Sequence, residues 1–141
     1  MSDVAVAVEN ALLRLLIVDD SEDDVFLLVH ALKAGGIALQ HRHVESGTAL
    51  HAALSDANWD VVITDHNMPG FSSREALSIV REHSADLPVV IVSGEIHEAT
   101  AIRAMHDGAQ DFIMKDNLAR LIPVILRERK QFESNKARQQ T

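Results

Sequence analysis

The 141 residues include no cysteine, which excludes disulfides and thiolate metal sites and suits a reducing cytoplasm. No apolar stretch approaches the length of a membrane span, so membrane insertion is not expected. The apolar segment at residues 4–8 is flanked by Asp3 and Glu9 and has no basic residue ahead of it, which argues against a signal peptide. Residues 1–12 are read as a flexible leader. Basic residues are the minority, 13 against 21 acidic, giving a net charge of −8. No basic block precedes the C-terminal tail, so direct nucleic-acid binding by this domain is disfavoured. A Gly-rich nucleotide loop is also missing. Eight histidines are present, yet none forms a His-x-x-x-His or Glu-flanked pair, and a zinc site is not expected. What remains is 47% apolar and 24% charged, an ordinary composition at a length that suits one domain with a proper core.

Short Val/Ile/Leu runs alternate with helix-like segments through most of the chain. Residues 13–18 read as a strand. Ser21 is then a helix cap with Asp24 three positions on, close to a capping box. Val25, Leu28, Val29 and Leu32 recur at helical spacing until Gly35-Gly36. A second strand at residues 37–44 carries His41, Arg42 and His43, too polar for a central place, and is assigned to a sheet edge. Ser46 caps the next helix. Residues 61–64 form a third strand leading into Asp65, and His66-Asn67-Met68-Pro69-Gly70 is a loop. A helix starts at Ser72 or Ser73. Pro88 opens a fourth strand that stops at Ser93-Gly94, a helix follows over about residues 97–106, and a fifth strand at 109–114 closes at Lys115. A tight turn is expected near residues 117–121, with the last helix beginning near Pro123, because proline is tolerated at the first helical position. Beyond Arg127 only Phe132 continues the apolar stripe, so the tail reads as a solvated extension, a partner surface or a linker.

Such alternation predicts an α/β fold: a doubly wound, flavodoxin-like (βα)5 unit with a five-stranded parallel sheet covered on both faces. A polar second strand at the edge favours the order 2-1-3-4-5. Ligands of open parallel sheets gather at the carboxyl ends of the strands, and there the sequence places Asp19, Asp20, Asp65, Ser93 and Lys115. Converging carboxylates repel one another unless one is protonated or a cation sits among them, and Mg²⁺ (or Mn²⁺) is a suitable hard ion. The chemistry this set supports is phosphoryl transfer to a carboxylate, with Asp65 attacking phosphorus in line to form an acyl phosphate. Asp20, Asp65 and the backbone carbonyl of Asn67 are the expected metal ligands. Asp19 binds the metal through water or holds Lys115 at rest, while Lys115 and Ser93 face the phosphoryl oxygens.

The segments LLIVDD, VVITDHNMPG, PVVIVSGE and GAQDFIMK, in this order, resemble the receiver domain of two-component response regulators over roughly residues 13–130. The resemblance implies a cytoplasmic switch that takes its phosphoryl group from a sensor histidine kinase or a phosphotransfer protein. Asp65 is then the phosphoacceptor, Asp19 and Asp20 the acidic pair, Ser93 the switch hydroxyl, Phe112 the switch aromatic and Lys115 the family lysine. Asn67 and Glu95 fall where the family tunes phosphate lifetime, a pairing similar to the chemotaxis regulator that implies a short-lived phospho-Asp65. It also implies no enzyme activity beyond self-phosphorylation and self-dephosphorylation. Output passes to a downstream protein, an attached output domain or a homodimer partner, with residues 131–141 as a helical extension or linker. Two departures stand out: Asp116 follows Lys115 where proline is usual, and Phe112 replaces the commoner tyrosine. The phrase KDNLARL before a long helix resembles receivers attached to PAS sensors, histidine kinases or diguanylate cyclases, so a receiver cut from such a protein is an alternative. A more remote one is an aspartate-nucleophile phosphatase, although the adjacent Asp19-Asp20 pair lacks the Asp-x-Asp pattern and no cap domain fits. A scaffold that is never phosphorylated is disfavoured, since it has no need of the complete set.

Overall fold

The structure, a computed structural model, describes residues 12–66, 68, 70–94 and 98–140. The strands are β1 (Leu13–Val18), β2 (Leu39–Val44), β3 (Val61–Asp65), β4 (Val89–Ser93) and β5 (Asp111–Met114). Between and after them lie α1 (Glu22–Ala34), α2 (Gly47–Asp56), α3 (Ser73–His83), α4 (Glu98–His106), a 3-10 helix (Lys115–Arg120) and α5 (Leu121–Gln140). All strand pairs are parallel and the spatial order is β2-β1-β3-β4-β5, the flavodoxin-like arrangement expected. The polar β2 lies at the edge, with Gln40, His41 and Arg42 exposed.

Successive residues of a strand point to opposite faces, and here each face has its own helical cover. Leu15, Ile17, Val61, Ile63, Val90 and Val92 pack with Val25, Leu28 and Leu32 of α1 and with Leu121, Val124 and Ile125 of α5. Leu16, Val18, Val62, Val89 and Ile91 pack with Leu50 of α2 and with Ala76, Leu77 and Val80 of α3. Serine hydroxyls fix where three helices begin: Ser21 accepts from the N–H of Asp24, Ser46 from Ala49, and Ser72 from Glu75 in a complete capping box. The cap of α3 is therefore Ser72, which leaves the Ser73 hydroxyl to another partner.

Two expectations about the C-terminal segment change. The tight turn is a 3-10 helix that starts at Lys115, and α5 begins at Leu121, ahead of Pro123. Proline is accommodated because backbone N–H groups in the first helical turn have no intrahelical acceptor to lose. Phe132 is not a solvated remnant of the apolar stripe. It is 8% exposed and belongs to the cluster under α2 and α3, although the first turns of α5 pack on the opposite face. Where α5 approaches α1, a Cβ on Gly35 would collide with Cδ1 of Ile122, so that the Ile122 side chain would have to shift.

At the amino ends of the strands, half-buried Arg81 ties three segments together. Its guanidinium donates to the carbonyls of Leu87 at 2.6 Å and Gly108 at 2.7 Å, and to Oε1 of Gln110 at 3.0 Å. Gly108 has φ +110°, a left-handed conformation that aims this carbonyl with no Cβ to obstruct it. Arg81→Ala is expected to cost about 2 kcal/mol of stability, the scale of charge-assisted bonds replaced by poorly solvated acceptors. Urea unfolding checks this, and a loss below about 0.5 kcal/mol would place the residue among ordinary surface arginines.

Candidate functional site

β1 and β3 are neighbours, so the residues that follow them meet at one edge of the sheet. Asp19, Asp20 and Asp65 each offer a carboxylate oxygen, and these oxygens lie within 4.8 Å of one another. Asp19 and Asp65 are only 4% and 3% exposed, whereas Asp20 stands at the open rim. The N–H of Ser21 donates to Oδ1 of Asp19 at 2.9 Å. From the edge strand, His43 Nε2–H donates to the backbone carbonyl of Asp19, holding the acidic turn from behind.

Lys115 reaches back across the strand ends into this pocket. Its Nζ lies 2.6 Å from Oδ2 of Asp24, 3.2 Å from Oδ1 of Asp65 and 3.9 Å from Oδ2 of Asp19. Burial acts to lower the Lys115 pKa, but the hydrogen bond to Asp24 and the charges of Asp65 and Asp19 outweigh it and hold the pKa above the ordinary lysine value. Asp19, expected to bind the metal through water or to hold Lys115 at rest, lies 3.9 Å from this ammonium, and the nearest carboxylate is Asp24. The sequence marks that residue only as a member of the helix cap. Its position in the first turn after the acidic pair, on a helix that starts at the same sheet edge, was the available signal.

Ser93 is fully buried at the end of β4, one position beyond Val92, which pairs with Asp65. Phe112 is half-buried on the α2/α3 side and meets the His66 ring edge-on, with centroids 5.8 Å apart. His66 is more engaged than an exposed loop residue: its Nδ1 lies 2.8 Å from the Ser73 hydroxyl. It also lines a cavity of about 410 Å³ between α3 and α4, with Leu77, Ile91 and Ala104. Asn67 and Glu95 lie outside the described residues.

Three carboxylates, of Asp19, Asp24 and Asp65, therefore lie within 4 Å of one ammonium group, and Asp20 adds a fourth beside Asp19 and Asp65, an excess of negative charge that burial aggravates. Desolvation, with the charge of Asp65 as a further contribution, raises the Asp19 pKa from 3.8 to about 6. A carboxyl group whose pKa is raised by folding binds its proton more tightly in the folded chain. Its stabilising contribution is full below the unfolded value and is lost as pH rises through about 6. In chelator, the protein should therefore gain about 1 kcal/mol of stability between pH 7 and pH 5. This trend is opposite to ordinary acid destabilisation and should be absent in Asp19→Asn. Denaturant titrations at the two pH values measure it.

The oxygen-only donor set fits a hard divalent cation and offers no soft ligand. A family profile described as the response regulator receiver domain matches residues 15–126. The chain is 34% identical over 116 residues to the two-component response regulator ARR15 of Arabidopsis thaliana, covering 73% of this chain and 55% of that protein. It is 33% identical over 121 residues to the two-component response regulator ORR5 of Oryza sativa subsp. japonica, covering 81% of this chain and 89% of that one. Among solved structures, a response regulator receiver domain protein from Clostridium thermocellum is similar, with a TM-score of 0.76 and 26% identity. That match covers 86% of this chain and 98% of the other.

Proposed function

The chain belongs to the response regulator receiver domain family of two-component systems, and from that premise we propose that it is a switch operated by phosphorylation of Asp65. The observation that carries this reading is the convergence of the Asp19, Asp20 and Asp65 carboxylates within 4.8 Å, with the Lys115 ammonium 3.2 Å from Asp65. The donor is the phosphohistidine of a sensor histidine kinase or a phosphotransfer protein. An Asp65 carboxylate oxygen attacks phosphorus, the new P–O bond forms as the P–N bond breaks, and the imidazole nitrogen leaves with the electron pair. Lys115 donates to the equatorial phosphoryl oxygens as charge accumulates on them. Asp20, Asp65 and the backbone carbonyl of Asn67, with Asp19 directly or through water, would hold Mg²⁺ (or Mn²⁺), which would neutralise charge on the transferring group.

The switch then runs through groups already next to the site. Ser93 turns its hydroxyl to the phosphoryl group. Phe112 moves inward, and the cavity of about 410 Å³ beside His66 leaves room for side chains to rearrange. The face made by α4, β5 and α5 changes shape as a result, a local electrostatic event that biases a two-state element. Catalysis is confined to the protein's own phosphorylation and dephosphorylation, with Asn67 and Glu95 setting the lifetime of the phosphoryl group. Output passes to a downstream protein, an attached output domain or a second copy of the chain. No helix among the described residues is long and apolar enough to cross a membrane, and the proposed setting is the cytoplasm.

Incubation with acetyl phosphate and Mg²⁺ followed by intact-mass measurement tests this function. The expected product is a single phosphoryl adduct that hydroxylamine removes, the behaviour of an acyl phosphate. A chain that remains unmodified, and that also fails to bind beryllofluoride, overturns the reading. Solution mass with and without beryllofluoride then separates the outputs. A monomer-to-dimer shift assigns output to a second copy, and an unchanged mass assigns it to a different partner or an attached domain.

A further inference from the structure

The shortest ion pair that Lys115 makes is with neither the acidic pair nor the residue proposed to accept phosphate, but with Asp24, at 2.6 Å. Asp24 sits on α1 with its backbone already fixed, its N–H donating to the Ser21 hydroxyl that caps the helix. Its carboxylate lies at the rim of the pocket that Asp19, Asp65 and Lys115 also line. Lys115 begins the 3-10 helix and lacks the usual proline after it, so no ring restricts the backbone there. One ammonium is shared between the Asp24 carboxylate at 2.6 Å and Asp65 at 3.2 Å, so it is anchored on both sides at rest. A phosphoryl group arriving on Asp65 must win Lys115 over from Asp24.

The geometry points to Asp24 as a positioning residue, a latch that holds Lys115 at rest and sets how readily the phosphorylated arrangement forms. This rests on Asp65 being the phosphoacceptor. Latching lowers the affinity of the site for a phosphoryl group by as much as the contact between Asp24 and Lys115 is weaker in the phosphorylated arrangement than at rest. Removing the carboxylate at position 24 frees Lys115 without touching the proposed metal ligands or Asp65. The side chain of Asp23, one residue earlier and exposed, carries the same charge on the same helical turn but makes no described contact with Lys115. It separates a latch from a general effect of negative charge.

The test is beryllofluoride binding to the full chain at saturating Mg²⁺, by calorimetry, for wild type, Asp24→Asn, Asp23→Asn and Asp65→Asn. The ¹⁵N-detected ammonium signal of Lys115 is followed in the same proteins. Asp24→Asn is expected to bind about 3- to 10-fold more tightly than wild type, the range of a partly exposed, charge-assisted pair. Its Lys115 signal should shift in the absence of beryllofluoride, while Asp23→Asn leaves both affinity and signal near wild type. Unchanged or weaker binding by Asp24→Asn overturns the latch, and so does equal tightening in both variants. A Lys115 signal that does not respond to Asp24→Asn overturns it too. If wild type binds no better than Asp65→Asn, the phosphoacceptor assignment itself falls and the latch falls with it.

Discussion

Asp65→Asn abolishes the phosphoryl adduct formed from acetyl phosphate and Mg²⁺, lowering the labelling rate at least about 10³-fold, while the protein remains folded. The carboxamide keeps the volume of the carboxylate but has no anionic oxygen to attack phosphorus. Other carboxylates are present but poorly placed to substitute. Asp19 already accepts from the Ser21 N–H, Asp20 faces the rim, and Asp24 is engaged with Lys115. Folding should survive, because Lys115 retains Asp24 at 2.6 Å and Asp19 at 3.9 Å when Asp65 no longer carries charge. Removing one of four crowded carboxylates also relieves repulsion. The checks are intact mass and thermal unfolding of the same samples. A full adduct on the Asn variant would assign the nucleophile elsewhere and remove the basis of the proposed switch.

The strand ends were legible in sequence because a parallel sheet converts order along the chain into position on one edge. A buried strand announces itself as an apolar run, and the residue after it must then sit at the carboxyl end. Asp19, Asp65 and Ser93 were placed on that logic, and the polar His41-Arg42-His43 run placed β2 at the sheet edge. The roles given to them came from the family resemblance and from chemistry, not from the fold. Tertiary choices were hidden. Asp24 had a sufficient local explanation as a cap residue, so nothing in its neighbourhood pointed to a lysine 91 residues away. Arg81 stands out in no sequence pattern, and two of its acceptors are the backbone carbonyls of Leu87 and Gly108, which side-chain patterns do not encode. His66 reads in the sequence only as the start of a loop, and its bond to Ser73 depends on Ser72, not Ser73, taking the cap.

Phe132 was the least legible residue of the fold, since one apolar side chain in a polar helix sets up no periodicity. It carries the second large prediction: Phe132→Ala costs about 3 kcal/mol and lowers the melting temperature by roughly 8 °C. A fully buried phenylalanine cut to alanine loses about 3–5 kcal/mol. The lower end applies because Phe132 lies at the margin of the core, beside an open cavity with Leu54, Trp59 and Leu87. Its partners follow α2 and α3 at the amino ends of β3 and β4, so α5 crosses beneath the sheet and anchors on the far face. Since Asp65 stands at the opposite ends of these strands, the loss should appear in stability and leave beryllofluoride affinity within about twofold of wild type. A loss below about 0.5 kcal/mol would mean that the helix beyond Arg127 is solvated, as its polar sequence alone implies. A large loss with intact site chemistry would make the anchored half of α5 part of the folded domain.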